Sequence, residues 1–507
     1  MRRISIALVG GALASAALAI PAAASDFVFG PLTRVSPTES PYGATASGPA
    51  CAPGQSGTNY PGAEVEPWVS FVGDFGVASW QQDRWSNGGS NGLPVAVTHD
   101  GGHTWTMPAN QPGFTCAATG TPPDSTTPAG VVFERASDPW TAISADGSTA
   151  YAMALDLDGT DAVNGMAVSR STDGGTSWST PVMLKKDTSA TVLNDKNSMT
   201  ADRFDADTAY AIWDRLEFPN EHASVAAAEN AVGFRGPVWF SKTGDFGASW
   251  STARMIYDPG RINQTIGNQI VVLGDGTLVD GFNLIYNVRN RSQRGNNVAT
   301  LTSTDQGDHW SSKATLVSPL RSIGVPNVRS GDSIPEIAAD PRANSTTFYL
   351  VWQDAAPSGG AYDEVVMKKC DGAGGHVSCG PTQLVNEDTG HPAFTPSVRV
   401  RGDGTLAVTY YQFTGSSSEP FQTKTIAFHQ HPDGTQSRQE IPSGTFDMAQ
   451  AAVARGYFVG DYEGLGEDGD ALLPFFVGTD GAQKSSACSD RASETETAGT
   501  GDCALTG

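Results

Sequence analysis

Ionisable side chains that could work together recur at a few defined places in the sequence. Glu134, Arg135 and Asp138 form one group, and Asp214, Arg215 and Glu217 a second. Arg261 stands beside Asn263 and Gln264, Arg329 beside Asp332, and Arg455 precedes Asp461 and Tyr462. Arginine presents a planar fork of N–H donors that binds a carboxylate at two points. A carboxyl group in the same pocket can pass protons to and from a bound molecule. The combination predicts recognition of an anion together with acid–base chemistry, provided that one scaffold brings these groups to one place.

That scaffold is a repeat. The stretches VTHDGGHTW, SRSTDGGTSW, SKTGDFGASW and TSTDQGDHW end at Trp105, Trp178, Trp250 and Trp310, and all fit Ser/Thr-x-Asp-x-Gly-x-x-Trp. Their aspartates, Asp100, Asp173, Asp245 and Asp305, mark a recurring period with variable insertions. In each turn the carboxylate can accept N–H groups of its own loop, glycine supplies a positive φ, and the tryptophan packs into the body. Between the turns, short runs alternate apolar and polar residues and no long stretch has a helical period.

Each turn is preceded by an opening hairpin, beginning with EPWVSFVGDFGVASWQQD at 66–83 and DPWTAISADGSTAYAMALD at 138–156. Seven such openings can be counted, the last at 460–480. The fold class is therefore all-β, a β-propeller of four-stranded antiparallel blades, seven by repeat count and six if the last opening is only an appendage. The segment FVFGPLTRVSP, 27–37, is expected to complete the last blade and so remove an exposed sheet edge. With the box turns on one face, the links between blades and the loops between second and third strands must emerge on the other. Asp138, Arg261, Arg329 and Tyr462 belong to the links or just beyond them, and Arg84 and Glu217 to those loops, so they should converge around one mouth.

The ends and the charge narrow the setting. Residues 1–24 carry Arg2, Arg3, an apolar run and small residues at Ala22 and Ala24, the pattern of a cleaved secretory signal. The expectation is one propeller over 25–485, a polar tail over 486–507, no membrane span, and a secreted monomer. A formal net charge of −23 disfavours nucleic acid, which needs phosphate neutralisation by Lys and Arg. Six cysteines in an exported chain can pair. Proximity favours Cys51–Cys116, Cys370–Cys379 and Cys488–Cys503. No cofactor or metal is expected: Asp156, Asp158 and Asp161 could meet Ca²⁺, but without the spacing of a calcium loop.

The four turns resemble Asp-box (bacterial neuraminidase) repeats, and residues 27–480 resemble the sialidase-like propeller superfamily. In that superfamily the boxes are structural and lie away from the active centre. The resemblance implies an exo-α-sialidase-like glycoside hydrolase acting on an acidic glycan. It implies Asp138 as acid/base, Tyr462 as nucleophile, Glu217 as the partner that activates the tyrosine, and Arg261 and Arg329 as holders of the substrate carboxylate. A tyrosine nucleophile avoids aiming a negative group at an anionic sugar. The family's early Arg-Ile-Pro tripeptide does not occur here, and Arg34 or Arg84 would have to stand in for its arginine. An acid pair such as Asp332 and Glu336 would instead suit a neutral sugar or a lyase reaction, and a propeller without catalysis would bind carbohydrate or protein.

Overall fold

The computed structural model describes residues 27–42, 55–115, 133–158, 163–219, 235–287, 294–415, 419–499 and 501–503. The signal segment, the Cys51–Cys116 pairing and Asp161 lie outside the described residues. No α-helix occurs among those described, only two short 3-10 turns.

The strands form antiparallel units. Arg135–Ile143, Ala150–Leu157, Asn164–Ser171 and Val182–Asp187 make one unit; Val192–Ala201, Thr208–Glu217, Val238–Gly244 and Arg254–Tyr257 make the next. The first strands of seven such units touch in series. Glu64–Val72 meets Arg135–Ile143, then follow Val192–Ala201, Gln264–Val272, Glu336–Ala339, Ala393–Val400 and Gly464–Glu467, which returns to Glu64–Val72. This closed circle is a β-propeller. Each sheet is sandwiched between neighbours, so its strands are buried on both faces and read as nearly continuous apolar runs, as in Thr208–Glu217. The first two blades are further joined through Ser90–Gly92, where Ser90 pairs with Ala136.

Ring closure uses both ends of the chain. Thr33 and Arg34 pair with Ser489 and Cys488, so an N-terminal strand is the outermost of the last blade. The third strand of that blade is Lys484–Ser489, and the expected boundary at residue 485 cuts through it. The tail is folded in as far as Ser493: Ala487, Cys488, Ser489, Asp490 and Ala492 are all buried. Its residues are small and polar, which is why composition alone reads as tail. A Cys488–Cys503 disulfide holds the end of this segment, and Asp502 Oδ1 accepts from the Arg34 backbone N–H at 2.7 Å. In the fifth blade a Cys370–Cys379 disulfide stands where the tryptophan turn is missing.

The four box turns share one geometry. In the second, Ser171 Oγ donates to Asp173 Oδ1 at 2.8 Å, and Asp173 accepts the Ser177 N–H at 2.9 Å and hydroxyl at 2.6 Å. The position before the tryptophan is thus part of the motif; in the fourth turn it is His309, whose Nδ1 lies 2.6 Å from Asp305 Oδ2. These hydrogen bonds hold Asp173, Asp245 and Asp305 at about 2. The box glycine has a second duty. A Cβ on Gly102, Gly175, Gly247 or Gly307 would strike Leu473, Val97, Tyr151 or Phe240, each on the preceding blade. Gly175→Ala adds a methyl 2.5 Å from Val97 Cγ1 at a φ of +80°. It should cost about 1–3 kcal/mol in denaturant unfolding, and an unchanged midpoint would refute the packing role.

Candidate functional site

The inner strands begin with a repeated irregularity. Their pairing slips between Val65 and Trp68, Ser137 and Trp140, Asp195 and Ser198, Ile266 and Gln269, and Phe394 and Ser397. At these bulges stand Glu66, Asp138, Lys196, Gly267 and Thr395, all with positive φ. A bulge bends its strand and re-aims a side chain. Left-handed backbone at a residue other than glycine costs on the order of 1 kcal/mol and persists where the surroundings enforce it. Three of the five bulges carry a charge.

Those charges meet. Lys196 Nζ donates to Glu66 Oε1 at 3.1 Å, Asp138 Oδ1 at 3.2 Å and Asp461 Oδ2 at 2.7 Å. The Lys196 backbone N–H also donates to Asp138 Oδ2 at 3.1 Å. Arg329 Nε donates to Asp461 Oδ1 at 2.9 Å, and its Nη2 to Asp461 Oδ2. Gln81 joins the group by donating to Glu66 Oε2 while accepting from Arg84 Nη1 at 2.6 Å. Arg84 and Arg329 both lie over the Phe458 ring, 5.0 and 4.4 Å from its centroid. A short ladder at the mouth places Arg329: Val328 and Arg329 pair in parallel with Tyr457 and Phe458. Gly331 allows the close approach behind it, since a Cβ there would overlap the Asp461 carbonyl.

Burial sets the proton affinities, and the ion pairs then divide them. Burial pushes Glu66 up to about 7, against the pull of Lys196. Burial would also raise Asp461, but Arg329 and Lys196 outweigh it and hold this carboxyl well below the usual range. Lys196 is opposed by burial and kept charged by its three carboxylates. Burial and the neighbouring Arg329 lower Arg84 to about 10. Among the described residues, two guanidinium nitrogens of this cluster, Arg84 Nε and Arg329 Nη1, have no hydrogen-bond partner.

The expected residues separate into two sets. Asp138, Arg329 and Tyr462 come together at the axis. Arg84, one of the two stand-ins for the missing arginine motif, joins them, while Arg34 pairs instead with Asp480 on the last blade. Glu217 does not reach Tyr462. It is held by Arg215 at 3.0 Å and by Arg235, which also binds Asp258, because the end of its strand faces the rim rather than the axis. Arg261 is exposed on a turn. Tyr462 is buried against Trp68 and Trp140, and its hydroxyl donates to the Pro139 carbonyl at 3.2 Å. Burial and the charges of Glu66, Asp138 and Asp461 drive its pKa well above the ordinary phenol value, so its surroundings oppose a phenolate nucleophile. Asp332 and Glu336 share no partner: Asp332 accepts from Ser322 and Glu336 from Gln269.

Glu66, Lys196 and Asp461 are members that the resemblance does not assign. A signal existed in the repeat: Glu-Pro-Trp at 66–68 and Asp-Pro-Trp at 138–140 place two acids at one structural position. Among the described residues no group of three or more His, Cys, Asp or Glu forms a metal-ligand set. The space among the three carboxylates is taken by the lysine ammonium. Beyond this cluster the inner strands enclose an axial cavity of about 270 Å³, lined in part by Trp68, Trp140, Gln269 and Arg399.

No family model and no curated protein sequence matches the chain. Among solved structures, an α-L-arabinofuranosidase of Fusarium graminearum with arabinobiose is 9% identical, covering 92% of this chain and 97% of that one, with a TM-score of 0.43. An α-L-arabinanase of Penicillium chrysogenum complexed with arabinobiose is 13% identical over 70% and 92%, with a TM-score of 0.41. A sialidase of Trypanosoma rangeli is 12% identical over 93% of this chain and 60% of that one, with a TM-score of 0.39. At these values no residue role is carried across, and the fold rests on the strand pairings themselves.

The buried acids around the axis give the protein a pH signature. Burial pushes Asp156, Asp214, Glu336 and Glu463 each up to about 8, whereas unfolded carboxyls titrate near about 4. Between those values the folded state holds protons that the unfolded state releases. Their contribution is complete below about 4 and is lost as pH rises through about 8. His429, lowered to about 3 by burial, acts oppositely below its ordinary value but is one group against four. The thermal midpoint should be higher near pH 5 than near pH 8.5; a flat or inverted trend would contradict the burial of these acids in protonated form.

Proposed function

We propose that the protein is an exported glycoside hydrolase that acts at the axial mouth on a glycan bearing a carboxylate. One observation carries this reading: an acid with its pKa raised toward neutrality lies beside two buried guanidinium groups that approach one aromatic ring and, among the described residues, keep unpartnered N–H donors. Glu66 is the proton donor and acceptor, since a group titrating near the working pH can serve in both directions. Asp138 is the second carboxylate. Glu66 Oε1 and Asp138 Oδ1 both contact Lys196 Nζ, at 3.1 and 3.2 Å, so the ammonium stands between the two carboxyl groups. Arg84 and Arg329 hold the substrate carboxylate, Arg329 exchanging part of its bond with Asp461 for the ligand.

A second reading has its own support. Lys196 already engages all three carboxylates, a closed state that also suits a propeller that binds a glycan without cleaving it.

The test uses fluorogenic α-sialoside, β-glucuronide and α-L-arabinofuranoside with the wild type, Glu66→Gln and Arg329→Ala. The expected outcome is turnover of an acidic substrate, with kcat lowered about 100-fold or more in Glu66→Gln and kcat/KM lowered at least about tenfold in Arg329→Ala. Turnover of the arabinofuranoside that is indifferent to Arg329→Ala would overturn the carboxylate claim. Binding without turnover of any substrate would leave the second reading.

A further inference from the structure

Away from the axis, a cleft of about 310 Å³ opens between the fifth and sixth blades. Its wall is one face of the sixth blade: Tyr410 and Gln412 come from the second strand, Lys424 and Ile426 from the third, and Arg438 and Glu440 from the fourth, alternate residues in each case. Glu387 and Asp388, on the link leaving the fifth blade, close the other side. Tyr410 and Ile426 are buried and form an apolar floor.

The polar groups above this floor are of both kinds. Lys424 Nζ contacts Glu440 Oε2 at 3.1 Å, and His391 Nδ1 lies 2.9 Å from Asp388 Oδ2. Arg438 lies over the Phe428 ring and donates through Nε to the Val385 carbonyl at 2.6 Å. Gln412 donates its amide N–H groups to the His391 and Pro392 carbonyls, which fixes which end of the amide is the acceptor. The Tyr410 phenol is kept neutral by burial, with Arg438, Glu387 and Asp388 acting on it.

A free anion entering this cleft would meet three carboxylates, and a free cation would meet Lys424 and Arg438. A molecule with neighbouring hydroxyl groups avoids both penalties, because each hydroxyl donates and accepts and can bridge carboxylate to ammonium or guanidinium. Its C–H face would cover Tyr410 and Ile426. The volume is at the lower end of the range for ligand pockets, roughly 300–1,000 Å³, and suits one or two sugar rings. We propose that this cleft is a second binding site, specific for a neutral sugar unit and separate from the mouth. It does not depend on the mouth being catalytic.

Isothermal titration of the full chain with cellotriose, xylotriose and arabinotriose tests the site. At least one should bind with a dissociation constant of about 1 mM or tighter. Binding should weaken at least tenfold in Lys424→Ala and in Glu440→Gln, both with unchanged thermal midpoints, and remain as in the wild type in Arg329→Ala. Both cleft positions are on the surface strands, so the folded state survives either change. No binding of any of the three at about 10 mM, or binding abolished by Arg329→Ala and untouched by the cleft variants, would overturn the proposal.

Discussion

One ammonium group in the interior holds this molecule's centre together. Lys196 enters from the third blade and receives Glu66 from the first, Asp138 from the second and Asp461 from the link into the seventh. Buried charges are costly unless they are paired and hydrogen-bonded, and removing one partner leaves the others uncompensated. The lysine therefore makes the three charged bulges, at Glu66, Asp138 and Lys196, interdependent: each is strained locally, and each is kept by the ion pair it delivers. It also links the site to ring closure, because Asp461 reaches Lys196 only when the seventh blade has returned to the first.

The two halves of the axis do different things. At the start of the inner strands, bulges and links supply charged groups. Further along, the same strands line a cavity of mixed polarity with Trp68 and Trp140 at its head. The aromatic pair, stacked at 3.4 Å between ring centroids, separates the charges from the cavity. The low-dielectric floor this provides is what raises Glu66 while Lys196 opposes it. The box turns at the opposite face contribute nothing to this chemistry. They set the blade spacing that lets the bulges meet.

Much of the fold was legible because its signals are local. A Ser/Thr-x-Asp-x-Gly-x-x-Trp turn states its own hydrogen bonds, and the N-terminal strand was readable from the need to cover an edge. The strand Lys484–Ser489 was not, since a run of small serine and alanine residues reads as a tail. The site was legible only as a face. Topology brought Asp138, Arg329, Tyr462 and Arg84 to one mouth, but which groups touch depends on bulge geometry. Glu217 resembled a site residue by position in its loop, yet Arg215 and Arg235 hold it at the rim. Tyr462 reached the axis with its hydroxyl turned to a backbone carbonyl, a detail that no residue pattern encodes.

The central claim is that Glu66 is a buried acid kept near neutrality within an ion-paired cluster. The most direct measurement is an infrared or ¹³C NMR titration of its side-chain carboxyl, assigned by difference from Glu66→Gln. An apparent pKa near 7 is expected, with a downward displacement when the neighbouring Asp138 is changed to Asn. A value at or below about 4.3, the ordinary glutamate range, would contradict the account: Glu66 would then be a fully ionised salt-bridge partner and no proton donor at neutral pH.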